Sequence, residues 1–205
     1  MQKAPDTAPQ RIYDTARKIF REKGFDGARM QEIADEAKIN KALLHYYFKS
    51  KEKLFQEILR EDVMSFVGSV AFVVNNPATT WQEKIRLISS TYIEFLKVNP
   101  GIPIFVLNEL SRNGGAFLRE LPFPTLIRQS VFMQQIIAAQ KEKEIIAIEP
   151  MQIIVTVISG LVFPFAAKPM VMMMGGLDEQ QLAKLIEERK TLVPDMVIGF
   201  LEIKK

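Results

Sequence analysis

The sequence contains no cysteine and a single histidine, His45, among 205 residues. The absence of cysteine excludes disulfide bonds, thiolate catalysis and metal sites built on thiolates. With one histidine, a histidine-based metal site or a catalytic triad containing histidine has at most one place to be. The chain also lacks paired-carboxylate spacing beyond solvated faces, a glycine-rich phosphate loop and a Gly-x-Ser-x-Gly elbow. We therefore expect a protein that is not an enzyme and that uses no cofactor or metal.

Long apolar runs are also scarce. A membrane-spanning helix needs about 20 apolar residues, and the sequence has no uninterrupted run of that length. The first ten residues, MQKAPDTAPQ, have no apolar centre and do not form a signal peptide. The most apolar stretch, 151–167, contains Gln152, Thr156 and Ser159 and is interrupted by Pro164. We interpret it as a buried helix, with a membrane segment as the alternative. The sequence predicts a cytoplasmic protein without membrane contact.

Charge is distributed unevenly, although the net charge is only +3. Residues 1–60 carry 13 Lys and Arg against 9 Asp and Glu, a net of 13 − 9 = +4. Residues 61–205 carry 14 against 15, a net of −1. A basic surplus at one end is expected of a nucleic-acid-binding segment joined to a neutral one, although a surplus of this size also arises by chance.

Apolar residues recur with helical spacing along the whole chain, and no alternating strand pattern, repeat or low-complexity run stands out. Thr7 and Pro9 indicate the start of a first helix, whose inward face carries Ile12, Ala16, Ile19 and Phe20. Gly24 is placed to end this helix in a left-handed conformation, and Phe25 is placed to pack back on the core. Ser50 is placed to cap a fourth helix, and capping boxes beginning at Thr80 and Asp178 open two later helices. We predict an all-α fold of about nine helices.

One stretch, 29–51, has the spacing of two short helices joined by a tight turn. Its apolar and small residues would bury one face of each helix: Ile33, Ala34, Ala37, Ile39, Leu44, Tyr47 and Phe48. With that face inside, the polar handles of the second helix would point outward: Asn40, Lys41, Ala42, His45 and Tyr46. Such a face suits a helix lying in the major groove of DNA. We predict a helix-turn-helix with 40–48 as the reading helix; the alternative is an ordinary helical hairpin with a solvated face.

The first 60 residues resemble the tetracycline-repressor (TetR) family of bacterial one-component regulators. The matching steps keep their order along the sequence: Lys18-Ile19-Phe20, Gly24-Phe25, Ile33-Ala34, Leu44, Tyr47-Phe48, Ser50-Lys51-Glu52 and Leu54. The resemblance implies a homodimer with a helix-turn-helix DNA-binding domain at 1–55 and a helical ligand-binding and dimerisation domain at 56–205. Most such proteins are repressors, and a small molecule that moves the fourth helix releases them from the operator.

Carried over position by position, the resemblance implies a set of residues that face DNA: Arg29, Asn40, Lys41, Ala42, Leu43, His45, Tyr46 and Lys51. Lys51 would bind a phosphate at the start of the fourth helix. Ala28 stands where a threonine usually caps the second helix, and Lys38 stands where glycine is common, so a left-handed backbone there would be strained. These departures keep open an alternative, a helical binding module whose head no longer reads DNA.

Two further residue sets belong to the C-terminal part of the chain. The 14 Phe and 10 Met predict an apolar effector in an adaptable pocket, with these candidate wall residues: Met64, Phe66, Trp81, Tyr92, Phe95, Phe105, Phe132 and Met133. Taken singly, each such residue is more often plain core than ligand wall. Two apolar C-terminal helices per subunit could form a four-helix dimer interface, with these candidates: Ile154, Ile158, Leu161, Leu185, Arg189, Val193, Val197 and Phe200. The alternative is that these helices complete the core of one subunit.

Overall fold

The computed structural model describes residues 7–113 and 123–203. These ranges contain eleven helices: α1 Ala8–Gly27, α2 Met30–Glu36, α3 Lys41–Tyr47, α4 Lys51–Asn75, α5 Trp81–Val98, α6 Ile102–Asn113, α7 Phe123–Arg128, α8 Val131–Lys141, α9 Pro150–Ala166, α10 Lys168–Gly175 and α11 Glu179–Leu201. Extended pairing in the same ranges is limited to one antiparallel bridge between Ile145 and Glu202. The all-α prediction is confirmed. The count exceeds nine because short helices such as α7 and α10 form beside prolines, where periodicity was hard to follow.

The helices divide into two compact units, Met1–Ser65 and Phe66–Lys205. We call the first unit the head and the second the body. Helix α4 contributes its first fifteen residues to the head and the remainder to the body. The boundary predicted from the sequence, after residue 55, lies earlier in the same helix.

The head is built around one apolar cluster to which all four of its helices contribute. Ile12, Ala16 and Ile19 of α1 are inaccessible or nearly so, as their spacing predicted. They meet buried residues of the other three helices: Ile33, Ala34, Leu44, Leu54 and Ile58. Full burial of each large aliphatic side chain contributes about 1.5–3 kcal/mol. This cluster holds the two short helices α2 and α3 in place.

Gly24 interrupts α1 three residues before its end, with φ +70° and ψ 177°. The predicted positive φ is confirmed, but the ψ is extended and does not belong to the left-handed helical region. The chain kinks here, and Phe25 packs back on the head core, as predicted. Its ring lies 6.3 Å from that of Phe20 and 5.0 Å from that of Phe55.

The body packs around α5, α9 and α11, which contact one another. The predicted capping boxes at Thr80 and Asp178 both form, and α11 continues through Pro194 without splitting. On α9 only the inward face is buried, so the interpretation of 151–167 as a buried helix holds for one face and is wrong for the other. Among the described residues, no single helix has the length and apolar character to cross a membrane; α9 and α10 together do, but they are bent by 81°.

Candidate nucleic-acid interface

Helix α3 is short, and the head core holds it from one side only. Leu44 and Phe48 are buried against the head core. The opposite side carries the exposed side chains that the sequence predicted to point outward: Asn40, Lys41, Ala42, His45 and Tyr46. Leu43 lies half-buried at the edge of this surface. The outward face is therefore confirmed as an exposed surface.

Asn40 lies at the start of α3 and serves as its N-cap. Its side-chain Oδ1 accepts a hydrogen bond of 2.7 Å from the backbone N–H of Leu43. A cap of this kind stabilises a helix by about 1 kcal/mol. The sequence predicted Asn40 inside the reading helix. The position of Asn40 immediately before the periodic run was the signal for a cap. The side-chain NH₂ is left as the group that could donate to DNA.

The turn between α2 and α3 is closed by a Schellman arrangement with a lysine at its left-handed position. Lys38 has φ +56°. Its N–H donates to the carbonyl of Asp35 (3.1 Å), and the N–H of Ile39 donates to that of Ala34 (3.0 Å). Two hydrogen bonds thus hold a lysine in a conformation that glycine adopts more easily. The left-handed backbone considered for Lys38 is confirmed.

Helix α2 begins one residue later than the sequence predicted. Arg29 is its N-cap residue and makes no side-chain hydrogen bond to the helix. Ala28, which the sequence analysis placed at the cap, is buried and extended just before it. The missing cap is therefore at Arg29, whose side chain is exposed beside the first turn of α2.

Tyr47 was expected in the core, and this prediction is wrong. Its side chain is 42% exposed, and its ring meets that of Tyr46 edge-on at 5.3 Å. In the last turn of so short a helix, Phe48 takes the inward position beside Tyr13, with ring centroids 6.3 Å apart. Two neighbouring phenols, Tyr46 and Tyr47, therefore belong to the exposed surface.

Lys51 differs from the other predicted contacts, because its ammonium faces the protein. Its Nζ donates to the carbonyl oxygens of Phe25 (2.9 Å) and Ala28 (3.2 Å). The same atom lies 4.3 Å from the centroid of the Phe25 ring. The predicted cap one residue earlier is confirmed, because Ser50 Oγ accepts from the N–H of Lys53 at 3.2 Å.

Ion pairs join α1 to α4 within the head. Arg17 lies 2.6 Å from a carboxylate oxygen of Glu61, and Arg21 lies 3.0 Å from one of Asp62. Burial and the neighbouring Glu61 carboxylate raise the pKa of Tyr13 above its usual range. Exposed ion pairs contribute little individually, but a network joining two helices restricts their relative movement.

In the body, three of the eight candidate wall residues form one aromatic stack. Phe66 lies 4.9 Å from Tyr92 and 4.4 Å from Phe95, with the planes nearly parallel in both pairs. Burial raises the pKa of Tyr92 to about 12. The other five candidates lie elsewhere: Trp81 and Phe132 are buried core, Phe105 and Met133 are half-buried, and Met64 is exposed in the head unit.

The candidate dimer residues fall into two groups. Leu161, Val193 and Val197 are buried in the core of one subunit, so their placement at an interface is corrected. Ile158 and Phe200 are exposed, Ile154 and Leu185 are half-buried, and half-buried Arg189 donates from Nε to the carbonyl of Gly160. Periodicity could not separate the groups because α9 is apolar on most of its circumference. Exposed apolar residues that the sequence analysis missed lie on the same two helices: Met151, Val155, Leu192 and Met196.

Comparison with known proteins gives a family match over the part of the chain that contains the exposed face of α3. The model of the bacterial regulatory proteins of the tetR family matches residues 12–58, from α1 to the first turns of α4. The matched segment, 12–58, is a helix-turn-helix domain of the tetR family type. The chain is 25% identical over 157 residues to the probable HTH-type transcriptional regulator YttP of Bacillus subtilis, covering 76% of this chain and 75% of YttP. It is 41% identical over 91 residues to the HTH-type transcriptional repressor NicS of Pseudomonas putida, covering 43% of each.

Solved structures share the fold over nearly the full length of this chain. A putative TetR-family transcriptional regulator from Mesorhizobium loti superposes with a TM-score of 0.60 at 18% identity, covering 98% of this chain and 100% of that one. The fatty acid degradation regulator FadR from Bacillus halodurans gives 0.60 at 18% identity, covering 94% and 96%. At these identities the likeness is one of fold alone.

Proposed function

We propose that this protein is a transcriptional repressor that binds an operator as a homodimer and leaves it when an apolar small molecule enters the body. The observation that supports this most directly is the exposed face of α3. Leu44 and Phe48 anchor the helix from behind, so its amide, ammonium, imidazole and phenol groups stand together on one side. A two-turn helix needs no such concentration of hydrogen-bonding groups for solubility.

In the proposed complex, α3 lies in the major groove. His45 and Tyr46 offer a ring N–H and a hydroxyl to base edges, and Ala42 and Leu43 offer apolar contact to thymine methyl groups. Lys41, in the first turn of α3, neutralises a phosphate without reading sequence. Arg29 and the side-chain NH₂ of Asn40 complete the surface as further donors to phosphates.

Pairing of two copies is supported by apolar stripes that one subunit leaves exposed. On α9 the stripe consists of Met151, Val155 and Ile158, and on α11 of Leu192, Met196 and Phe200. Both follow the spacing of a helix face that packs on another helix. Two copies of each stripe would form a four-helix interface, and the two heads would then meet major grooves about 34 Å apart.

The effector site is proposed at the stack of Phe66, Tyr92 and Phe95. Aromatic faces bind flat or aliphatic apolar groups, and the Tyr92 hydroxyl adds one hydrogen-bonding group that would orient the ligand. Phe66 belongs to α4, the helix whose first turns carry Leu54 and Ile58 of the head core. A ligand that displaces Phe66 would therefore act on the helix that enters the head.

The test is a binding titration of the purified protein against the DNA flanking its own gene, followed over a range of salt concentrations. We expect sequence-selective binding by a folded dimer, with affinity falling as salt rises. Lys41→Ala should weaken binding to all sequences about equally, whereas His45→Ala should also change the preference among sites by about 1–3 kcal/mol. Lys184→Ala, on the exposed surface of α11, serves as the control.

Absence of salt-sensitive, selective binding would contradict the proposal. A body that takes up an apolar ligand beside a head without affinity for DNA at low salt would favour the binding-module alternative. Equal losses at every sequence for Lys41→Ala and His45→Ala would leave DNA binding in place but refute the assignment of a reading role to His45.

A further inference from the structure

The environment of Lys51 differs from that expected of a lysine that contacts a DNA phosphate. Its ammonium lies between the carbonyl oxygens of Phe25 and Ala28, with the Phe25 ring 4.3 Å away. An ammonium has three N–H donors, so two are engaged by carbonyls and one side is covered by the ring. Both carbonyls belong to residues 25–29, which lie between the Gly24 kink in α1 and the start of α2 and which we call the connecting segment.

The position of Lys51 in its helix makes these contacts informative. Lys51 is the first residue of α4. The N-terminal end of a helix carries partial positive charge and disfavours a cation there. Two carbonyl acceptors and a cation–π contact offset that penalty. The side chain is therefore held in place by the connecting segment, not by its own helix.

The connecting segment is shaped to offer both acceptors. Gly24, with φ +70°, kinks the chain at its start, so that Phe25 turns back over Phe20 and Phe55. Ala28, whose carbonyl is the second acceptor, immediately precedes the N-cap of α2. Fixing Ala28 therefore fixes where α2 begins, and α2 packs on α3.

We infer that Lys51 is a positioning residue for DNA binding and makes no phosphate contact itself. Its ammonium clamps the connecting segment. The clamp fixes where α2 begins and where the exposed Arg29 lies, and through α2 it fixes the orientation of α3. This inference rests on the proposed function. It replaces the phosphate contact that the family resemblance implied for Lys51.

The salt dependence of DNA binding separates the two roles. A side chain that neutralises a phosphate contributes about 0.9 to the slope of log affinity against log salt concentration, whereas a positioning residue contributes nothing. We expect Lys51→Met to weaken binding about tenfold with an unchanged slope. Lys41→Met should lower both affinity and slope, and Lys184→Met should change neither.

A second measurement uses the DNA-free protein. Hydrogen exchange of the amides at 25–31 should be faster in Lys51→Met than in Lys41→Met, because only the former loses the clamp. If Lys51→Met does not fold, Lys51→Gln, which keeps a donor without the charge, should show smaller changes in the same directions. Its salt slope should also equal that of the unsubstituted protein.

A slope that falls in Lys51→Met as much as in Lys41→Met would overturn the inference and restore the phosphate contact. Unchanged affinity, or unchanged exchange at 25–31, would overturn it as well. If the unsubstituted protein binds no DNA, the proposed function and the positioning role fail together. If DNA binding is intact and only the Lys51 results disagree, the positioning role fails alone.

Discussion

The Nε of Arg189, on α11, donates a hydrogen bond of 2.5 Å to the carbonyl oxygen of Gly160, on α9. Inside an α-helix this carbonyl would accept from the N–H four residues later, which belongs here to Pro164. Proline has no N–H. Arg189 therefore supplies the donor that Pro164 lacks. Burial of the guanidinium lowers the pKa of Arg189.

Replacing Arg189 with methionine should destabilise the body by about 1–3 kcal/mol, since the Gly160 carbonyl loses its donor. In a Pro164→Ala background the helix regains its own N–H, so the same replacement should be less destabilising. A double-mutant cycle measured by urea unfolding at one protein concentration checks this. Equal losses in the two backgrounds would contradict the account of Pro164.

The same crossing of α9 and α11 depends on the missing side chain of Gly160. A Cβ atom there would lie 3.1 and 3.2 Å from the two methyl carbons of Val193. Gly160→Ala should therefore destabilise the protein by about 1–3 kcal/mol, and Val193→Ala should relieve part of that loss. Gly68→Ala, on α4 with nothing within 4 Å of the added atom, is the matched control. Its expected effect is a gain of up to about 1 kcal/mol in unfolding free energy.

Two lysines occupy left-handed positions that close helices. Lys38 follows α2 with φ +56°, and Lys143 follows α8 with φ +58°. Glycine at either position should raise the unfolding free energy by about 1 kcal/mol, because it removes the steric penalty of the side chain. Alanine should give no such gain, since its Cβ suffers the same penalty. A gain with alanine equal to that with glycine would indicate that loss of charge, not backbone strain, is responsible.

Lys84 is fully buried on α5, and its ammonium is held by neutral acceptors. Its Nζ donates to the carbonyls of Asn76 (2.7 Å) and Thr79 (2.5 Å) and to the hydroxyl of Thr79 (2.9 Å). Lys84→Met would remove three hydrogen bonds to the α4–α5 connection, and the Thr79 carbonyl would keep the one from Gln135 Nε2. We expect a loss of about 1–3 kcal/mol in unfolding free energy.

Burial lowers the pKa of Lys84 from its ordinary value near 10.5. The unfolded chain then holds this proton to higher pH than the folded protein does. Between the two pKa values the unfolded state binds more protons, so the unfolding free energy due to Lys84 rises with pH. Denaturant unfolding over a pH series should show that the unfolding free energy of the unsubstituted protein rises with pH relative to that of Lys84→Met. The opposite trend would exclude burial as the main effect on Lys84.

Local patterns were predicted well wherever the deciding atoms lie within one or two helical turns. The outward face of α3, the caps at Ser50, Thr80 and Asp178, and the positive φ of Gly24 all follow from neighbours in sequence. The orientation of Tyr47 was not predictable in this way. At the last turn of α3, two adjacent aromatic residues compete for one inward position, and the location of Tyr13 decides between them.

The amino-acid sequence alone determined the all-α fold and the helix-turn-helix, because helical periodicity and capping are short-range properties of the chain. Its motif residues carried the family resemblance. The tertiary structure decided which side chains are committed inside the protein. Lys51 donates to carbonyls 23 and 26 residues away, and Lys84 donates to the α4–α5 connection. Val193 and Val197 belong to the core, not to an exposed stripe. These outcomes depend on which helices approach one another, and a helix that is apolar around most of its circumference does not specify which face its neighbour will cover.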